Sequence, residues 1–434
     1  MPTQINFVNL VNPVKKQKGP SMIDFDIESF VRKYMTKRAE SLLAADFEKC
    51  REEMHRRIDG KRILVIGGAG TIGSNYVKAA LRGFKPAAMF VVDIDENSLT
   101  ELTRELRAGD YNVPDEYITE PIDLGSDLFD RFFKAKGPFD IVANFAARKH
   151  VRAERDVFSI EAMCETNVFM AKKLLDLLLD NPPEAFFCVS TDKAANPVNV
   201  MGATKKLMEE TIMAYSDRLP IKTARFANVA FSNGSLPIGW LNRIQKRQPL
   251  SCPLGIRRFF VSPIESGELC LFASVMAESG DIVYPKLDPE KDMIPFDAVV
   301  KDMLNDMGLG CKACASSVVA KESMREISAN SASLRLCVKN GYPCEFFGSD
   351  TSGEKAFEEF YTDTDLKDET TFVHLGAVKN SKKRPVAEVE AIFANLRAVF
   401  RKPGAEKADV IEVLKEYLPN FQHIEKGKSL DSRM

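Results

Sequence analysis

Short apolar runs alternate with amphipathic stretches through the first half of the chain. Runs of this length suit parallel strands that are covered by helices on both faces. They occupy residues 63–66, 88–92, 141–145, 185–189 and 222–226. Apolar residues recur at helical spacing between them, over 75–82, 98–107, 161–179 and 203–216. The alternation predicts an α/β fold with a doubly wound parallel Rossmann sheet.

The pattern changes on both sides of this region. Residues 1–58 contain a polar arm followed by apolar residues at helical spacing, which predicts a helical N-terminal extension. We assign 59–230 to the Rossmann domain and 231–375, with its short mixed segments, to a smaller mixed lobe that covers the substrate. Helical patterns return within 376–434 and predict a helical C-terminal tail. A basic cluster begins this tail, and we interpret it as a solvated helix face, with a partner contact as the alternative. It consists of Lys379, Lys382, Lys383 and Arg384.

Composition excludes several classes of function. The 434 residues carry a formal net charge of −2, so no overall field attracts nucleic acid or an anionic membrane. The longest apolar stretch, 269–277, is far shorter than a bilayer span. Nine scattered cysteines indicate reduced thiols and a cytoplasmic protein. Cys311 and Cys314 form a CxxC motif without a second pair at zinc spacing, so we interpret them as small apolar side chains near a loop and expect no metal.

A glycine-rich loop follows the first predicted strand, in the run RILVIGGAGTIG. Gly67, Gly70 and Gly73 allow a tight turn and let a pyrophosphate lie against bare backbone. The helix that starts at this loop directs free N–H groups and a positive dipole toward phosphates. Asp93 ends the second strand, where an acid binds ribose hydroxyls and disfavours a 2′-phosphate. The loop therefore predicts NAD binding. Asp123, in the run PIDLGS, follows an expected third strand that has no clear apolar run, so that 141–145 and 185–189 are the fourth and fifth strands. Asp123 either reaches the adenine edge or caps a helix.

The fifth strand ends in the run CVSTDKAANPVNVMGATKK. Loops at the carboxyl ends of such strands face the cofactor crevice, so Ser190, Thr191, Asp192 and Lys193 are expected beside the nicotinamide. Adjacent Asp and Lys side chains can supply an acid and a base to one substrate. A solvated ion pair is the alternative for Asp192 and Lys193.

The motifs together resemble a known family. GGAGTIG, NFAARKHV, STDKAANPVNVMGATK, ARFANV and FSNGS are similar to those of extended short-chain dehydrogenase/reductases. More narrowly, over about residues 58–375, they resemble the UDP-N-acetylglucosamine 4,6-dehydratases of bacterial surface-sugar pathways. The resemblance implies tightly held NAD, UDP-N-acetylglucosamine as substrate and a homo-oligomer. It also implies a redox-neutral cycle: hydride leaves C4 of the sugar, water is lost across C5 and C6, and hydride returns to C6.

The resemblance also implies roles for individual residues. Lys193 is the base at C5, Asp192 protonates the departing C6 oxygen, and Thr191 hydrogen-bonds the C4 oxygen. Lys205 binds the nicotinamide ribose. Met201 stands where most of the superfamily has a catalytic tyrosine, and a subset of the dehydratases shares this methionine. That subset leads us to expect retention of configuration at C5. Further cofactor contacts are expected from Thr71, Ile72, Leu124, Ala146 and Ala147.

Substrate contacts are expected on loops beyond the cofactor. Lys149 and His150 follow the fourth strand, although a loop hydrogen bond is the alternative for His150. The phosphates should meet the segment that contains Asn228, Ser232, Asn233, Gly234 and Ser235. By resemblance, Arg258 binds the nucleotide side of the ligand, with Arg257 as its substitute, and Glu354 also contacts the substrate. Glu354 lies in the run TSGEK, which resembles a family motif that usually reads Arg-Pro-Gly-Glu-Lys. Thr351 and Ser352 replace the first two residues of that motif, so the expected phosphate-binding arginine is missing.

Two other functions compete with dehydration. A nucleotide-sugar epimerase shares the fold and the keto intermediate, but Met201 disfavours the tyrosine-dependent kind. A non-catalytic NAD-bound scaffold would not need Thr191, Asp192, Lys193 and Lys205 together. Dehydration is therefore the function that the sequence favours.

Overall fold

The computed structural model of the protein describes residues 25–329, 340–348, 355, 357 and 359–425. Within them the backbone forms strands and helices that alternate up to β6. The strands are β1 (Arg62–Ile66), β2 (Ala88–Asp93), β3 (Glu116–Pro121), β4 (Ile141–Asn144), β5 (Ala185–Val189), β6 (Ile221–Ala224), β7 (Asn228–Val229), β8 (Leu250–Leu254), β9 (Arg257–Val261), β10 (Ile282–Pro285), β11 (Met293–Pro295), β12 (Cys311–Cys314), β13 (Tyr342–Gly348), β14 (Lys367–Asp368) and β15 (Leu375–Val378).

Within the described ranges, the predicted helical stretches all contain helices, and five further helices lie over residues 127–136 and 236–329. They are α1 (Ile27–Phe30), α2 (Ala44–Ile58), α3 (Thr71–Gly83), α4 (Glu96–Ala108), α5 (Asp127–Lys136), α6 (Val157–Cys164), α7 (Met170–Asp180), α8 (Val200–Met213), α9 (Leu236–Gln245), α10 (Pro263–Met276), α11 (Phe296–Asp306), α12 (Ser317–Ala329), α13 (Val386–Arg401) and α14 (Lys407–Tyr417). π-Helical turns continue α1 over Val31–Thr36 and join α6 to α7 over Glu165–Phe169.

The central sheet has nine strands in the order β14-β15-β10-β6-β5-β4-β1-β2-β3. Every neighbouring pair is parallel except the two that involve β15. From β3 to β6 this is the doubly wound order, so the predicted fold class is confirmed. The order reverses between β1 and β4, which opens a crevice at their carboxyl ends. The chain beyond residue 230 adds β10, β14 and β15 to this sheet.

Two small sheets build the lobe beside the crevice. One has the order β11-β9-β7 and the other β12-β13-β8. A hydrophobic cluster joins this lobe to the N-terminal extension and includes Phe30, Met35, Phe231 and Trp240. A buried carboxylate fastens the same extension elsewhere, because Asp46 accepts hydrogen bonds from the backbone of Val373 and His374.

The C-terminal helices α13 and α14 pack against α6 and α8. Their apolar side chains share one hydrophobic cluster with residues of those helices, including Val389, Leu396, Val410, Ile160 and Val200. The basic cluster is not a helix face, because all four residues precede α13, and it is only partly solvated, because Lys382 and Lys383 are exposed whereas Arg384 is buried. Arg384 is buried before α13 and pairs with Glu210 of α8, while Lys379 pairs with Asp281 and Lys383 with Asp217. The described helices include none with the length and apolar content needed to cross a membrane.

Candidate functional site

The glycine-rich loop lies between β1 and α3, against the end of β4. Gly67 has a φ of 69°, and a Cβ there would lie 2.6 Å from the Ala146 nitrogen. A Cβ on Gly73 would lie 2.3 Å from the Gly67 carbonyl oxygen. Gly70 directly precedes α3, whose first residues are Thr71 and Ile72. Side chains are thus kept away from the turn, as a cradle for a pyrophosphate requires.

Asp93 and Asp123 lie at the ends of the next two strands. Asp93 accepts a hydrogen bond from the backbone of Ala69, 2.9 Å away, and so ties the second strand to the glycine loop. Asp123 accepts from the backbone of Gly125 at 2.8 Å. The alternative that Asp123 caps a helix is wrong, because Ser126 caps α5 and Asp123 shapes the turn before it. Leu124 is buried in that turn.

Thr191, Asp192 and Lys193 form a compact hydrogen-bonded group after β5. The Oδ1 atom of Asp192 accepts from the Thr191 hydroxyl at 2.7 Å, the Lys193 backbone at 2.9 Å and the Lys193 ammonium at 3.0 Å. Asp192 is only 3% exposed, so the alternative of a solvated ion pair is wrong. A buried carboxylate in contact with an amine can exchange a proton with it directly.

A second buried network supports this loop and was not predicted from the sequence. The Ser190 hydroxyl donates to Glu209 at 2.6 Å. Glu209 also forms a two-point ion pair with Arg225, at 2.8 and 2.7 Å, and both side chains are about 1% exposed. Arg225 in turn donates to the Phe360 carbonyl at 2.9 Å. Glu209 has helical spacing from Lys205, but no local pattern links it to Arg225.

Lys205 and Met201 lie one helical turn apart on α8. The Lys205 ammonium is buried and donates to the Val189 carbonyl at 2.5 Å. Burial lowers the pKa of Lys205, against the opposing influence of Cys188 and Glu209. Met201 is buried in the hydrophobic cluster shared with the C-terminal helices. Met201 therefore belongs to the apolar cluster that α8 shares with the tail.

Two further residues, which the sequence did not predict, connect the loops after β4 and β5 to helix α8. Asn167 is buried, and its side chain bonds both backbone groups of Arg148 and the Thr204 hydroxyl, at 2.8 to 3.0 Å. A Cβ on Gly202 would lie 2.6 Å from the Lys193 carbonyl oxygen. The glycine lets α8 approach the loop after β5 closely. In the sequence, the only indication of this glycine was its place in the run MGATK.

The predicted phosphate-binding segment, residues 232–235, contacts the start of α3 and the loop after β4. The backbone of Asn233 donates to the Thr71 hydroxyl at 3.0 Å. Gly234 has a φ of 73°, and a Cβ there would lie 2.5 Å from the His150 ring. The Ser235 hydroxyl oxygen is buried and has no hydrogen-bond partner among the described residues. Ser232 lies in the same turn, since its carbonyl accepts from the Ser235 backbone at 2.9 Å.

The other predicted substrate residues lie around this segment. Asn228 is in β7, and its amide donates to the Phe259 carbonyl at 3.5 Å. Arg258 is buried in β9, whereas Arg257 is exposed and binds the Pro289 carbonyl. Lys149 lies in the loop after β4, where desolvation lowers the pKa of its ammonium group. Ala147 precedes it in the same loop. Glu354 lies outside the described residues.

The CxxC cysteines lie away from this crevice. Cys311 and Cys314 begin and end the short strand β12 in a small sheet of the lobe, so each adjoins a loop, as predicted. Both are free thiols, and Cys314 is buried. Neither belongs to a group of three or more candidate metal ligands in the described part of the chain.

Comparisons with known proteins agree with this architecture. Residues 63–380 match the model of a family described as polysaccharide biosynthesis protein. An uncharacterized membrane protein of Methanocaldococcus jannaschii is 36% identical over 57% of this chain and 73% of its own length. EpsC of Bacillus subtilis, a probable polysaccharide biosynthesis protein, is 27% identical over 75% of this chain. This match spans about half of that relative's length, 49%.

Two further similarities concern a named enzyme and a solved structure. An inverting UDP-N-acetylglucosamine 4,6-dehydratase of Campylobacter jejuni is 27% identical over 54% of this chain and 69% of its own. The X-ray structure of Pen from Bacillus thuringiensis superimposes with a TM-score of 0.58 and 21% identity. It covers 78% of this chain and 98% of the Pen chain, which shows a shared fold.

Proposed function

Since this chain belongs to the polysaccharide biosynthesis protein family, we propose that it is an NAD-dependent 4,6-dehydratase of UDP-N-acetylglucosamine. Family membership supports the coarser statement, an enzyme that modifies nucleotide sugars. The finer assignment rests on one observation: buried Asp192 forms an ion pair with half-buried Lys193 at the crevice end of β5. Water elimination needs an acid and a base together, which this pair can supply.

The glycine loop is the part of the crevice that suits NAD. The crowding around Gly67 and Gly73 leaves bare backbone and the start of α3 for a pyrophosphate. Asp93 would bind the adenosine ribose, and Lys205 the nicotinamide ribose after giving up its bond to Val189. When bound, NAD would accept a hydride from C4 of the sugar and return it to C6.

The acid and base roles can be assigned within one proton balance. In the neutral form of the pair, the Lys193 amine takes the proton from C5 while the Asp192 carboxyl gives its proton to the departing C6 oxygen. These two transfers leave an ammonium and a carboxylate 3.0 Å apart, the arrangement of the ion pair. One proton transfer from Lys193 back to Asp192 then restores the reactive form. The hydroxyl proton that leaves O4 during the first hydride transfer balances the proton that C5 takes up when hydride returns to C6, so the whole cycle releases only water. Thr191, which donates to the same carboxylate, would orient the C4 oxygen.

The segment from Ser232 to Ser235 is the proposed site for the substrate phosphates. It lies next to the glycine loop through the bond from Asn233 to Thr71. The unpartnered Ser235 hydroxyl and the His150 ring beside Gly234 supply donors at this point. Buried Arg258 would serve the nucleotide side of the ligand.

Incubation with UDP-N-acetylglucosamine and no added reductant tests the proposal. The product should be lighter by one water, with no net formation of NADH. A product of unchanged mass with an inverted ring centre would instead identify an epimerase. If purified protein carries NAD but turns over no nucleotide sugar, the scaffold hypothesis replaces the enzyme.

A further inference from the structure

The C-terminal segment beyond α14 runs along the loop that connects β5 to α8. The backbone of Gln422 donates to the Pro197 carbonyl at 3.2 Å, and that of Ile424 donates to the Val198 carbonyl at 3.0 Å. Phe421 is buried at the start of this contact. Pro197 and Val198 lie between Lys193 and the first turn of α8. Residues 421–425 therefore line one side of the loop 190–199, which we call the catalytic loop.

Glu154 connects this segment to α8. Its carboxylate side chain is about 6% exposed. One oxygen accepts from the Val200 backbone at 2.7 Å, and the other contacts the His423 ring and the Lys407 ammonium. Val200 is the first residue of α8, where backbone N–H groups have no acceptor within the helix. Glu154 therefore caps α8 from outside the helix, beside the Asn199 cap that accepts from Gly202.

Lys407 balances the charge of this group. Its ammonium lies 3.1 Å from Glu154 and 2.6 Å from Glu425. Glu154, His423 and Glu425 are close enough to one another to resemble a set of metal ligands. Since a lysine cation already contacts both carboxylates, the group is better explained as an ion cluster that fastens the tail.

The two side chains that contact Glu154 come from outside the part of the chain that matches the family. That match ends at residue 380, whereas Lys407, His423 and Glu425 all follow it. The start of α8 is also in close contact with the catalytic loop, because Gly202 faces the Lys193 carbonyl. A displacement of this first turn would move Lys193 and the turn that carries Met201.

We propose that Glu154, held by His423 and Lys407 of the C-terminal segment, is a positioning residue for the catalytic loop. By this proposal the tail acts on the active site through the catalytic loop. Loss of the contacts of Glu154 with His423 and Lys407 leaves the structure of the glycine loop and of the phosphate-binding segment unchanged. It lets the start of α8 and the Asp192–Lys193 pair depart from the geometry needed for proton transfer.

Three full-length variants test this proposal. Glu154→Ala removes the cap, His423→Ala removes one support of Glu154, and Glu154→Gln keeps a carbonyl acceptor for Val200 without the charge. Lys402→Ala is the matched control, because it removes an exposed ion pair with Asp409 in the same tail. Amide hydrogen exchange over residues 194–205 is measured in each variant, along with kcat, KM for UDP-N-acetylglucosamine and bound NAD.

Glu154→Ala and His423→Ala should speed exchange over 194–205 and lower kcat by about tenfold or more. KM and bound NAD should stay within about twofold, Glu154→Gln should be intermediate, and Lys402→Ala should match the wild type. Unchanged exchange and kcat in His423→Ala would overturn the proposal. Parallel loss of NAD, KM and thermal stability would also overturn it, because it would indicate general unfolding.

The kinetic readout rests on the proposed dehydratase activity, whereas the exchange readout does not. A wild-type protein without turnover would refute the proposed function only. The exchange comparison between His423→Ala and Lys402→Ala would still decide whether the tail holds the catalytic loop.

Discussion

A single oxygen atom organises the candidate active site at the scale of residues. Asp192 Oδ1 collects a hydroxyl, a backbone amide and an ammonium, and the side chain is almost fully buried. The contact between Asp192 and Lys193 allows proton exchange without solvent. The adjacency of Asp192 and Lys193 in the sequence was enough to predict this pair. Its support by Ser190 and Glu209 was not predictable, because Glu209 is distant in sequence.

Replacement of Lys193 should stop elimination without loss of the cofactor. Lys193→Ala removes the base at C5, and general bases contribute about 10²–10⁴-fold to rate. We expect turnover of UDP-N-acetylglucosamine to fall by that factor while the NAD content of the purified protein is unchanged. The control is Lys301→Ala, a lysine on the surface of α11. A Lys193→Ala enzyme with wild-type turnover would refute the role of this lysine.

Gly202 offers a test of how closely α8 must approach the loop. In Gly202→Ala the new Cβ would meet the Lys193 carbonyl at 2.6 Å, so helix and loop must separate. We expect lower kcat and a loss of stability of about 1–3 kcal/mol, measured by urea unfolding. Gly239→Ala is the matched control in α9, since its Cβ meets nothing within 4 Å. It should gain about 0.5–1 kcal/mol. Equal effects of the two changes would contradict the close approach.

Helix α8 is the element on which the site depends most. Its residue Met201 belongs to the apolar cluster shared with the tail. Lys205 donates to the carbonyl at the end of β5, and Glu209 pairs with Arg225. The sequence predicted this helix and the strands around it, because their apolar periodicity is local. A third strand was expected before Asp123, but no apolar run gave its bounds, because β3 is an edge strand whose residues are at most partly buried. The partners of the tail were not predictable either, since ion pairs such as Arg384–Glu210 join distant segments.

The ion pair between Glu209 and Arg225 should make the free energy of unfolding depend on pH. Burial alone would raise the pKa of Glu209, but Arg225 lowers it below the ordinary value. The stabilisation is therefore complete above about pH 4.3 and is lost as the pH falls through the lowered pKa. Glu209→Gln should cost about 3–5 kcal/mol of unfolding free energy at pH 7.

Urea unfolding at pH 7 and at progressively lower pH measures this effect. The gap between wild type and Glu209→Gln should narrow below about pH 4. Glu101→Gln, in an exposed pair with Arg104, should change stability by less than about 0.5 kcal/mol throughout. A constant gap across the whole pH range would show that the carboxylate does not stabilise the fold through its charge.

At the scale of the whole molecule, the tail covers the face that α6 and α8 present. The resemblance to known dehydratases leads us to expect a homo-oligomer, and long helices of this fold are common subunit contacts. Here α13 and α14 fill that face within one chain. An assembly through the same face would have to displace them, so we expect any oligomer to use another surface.

The path of one hydrogen atom tests the central claim most directly. We would supply UDP-N-acetylglucosamine that carries deuterium at C4 and locate the label by NMR and mass spectrometry. The proposed cycle predicts a product that has lost water and carries the deuterium at C6, without added cofactor and without net NADH. Deuterium that returns to C4 of a product of unchanged mass would contradict dehydration and identify an epimerase.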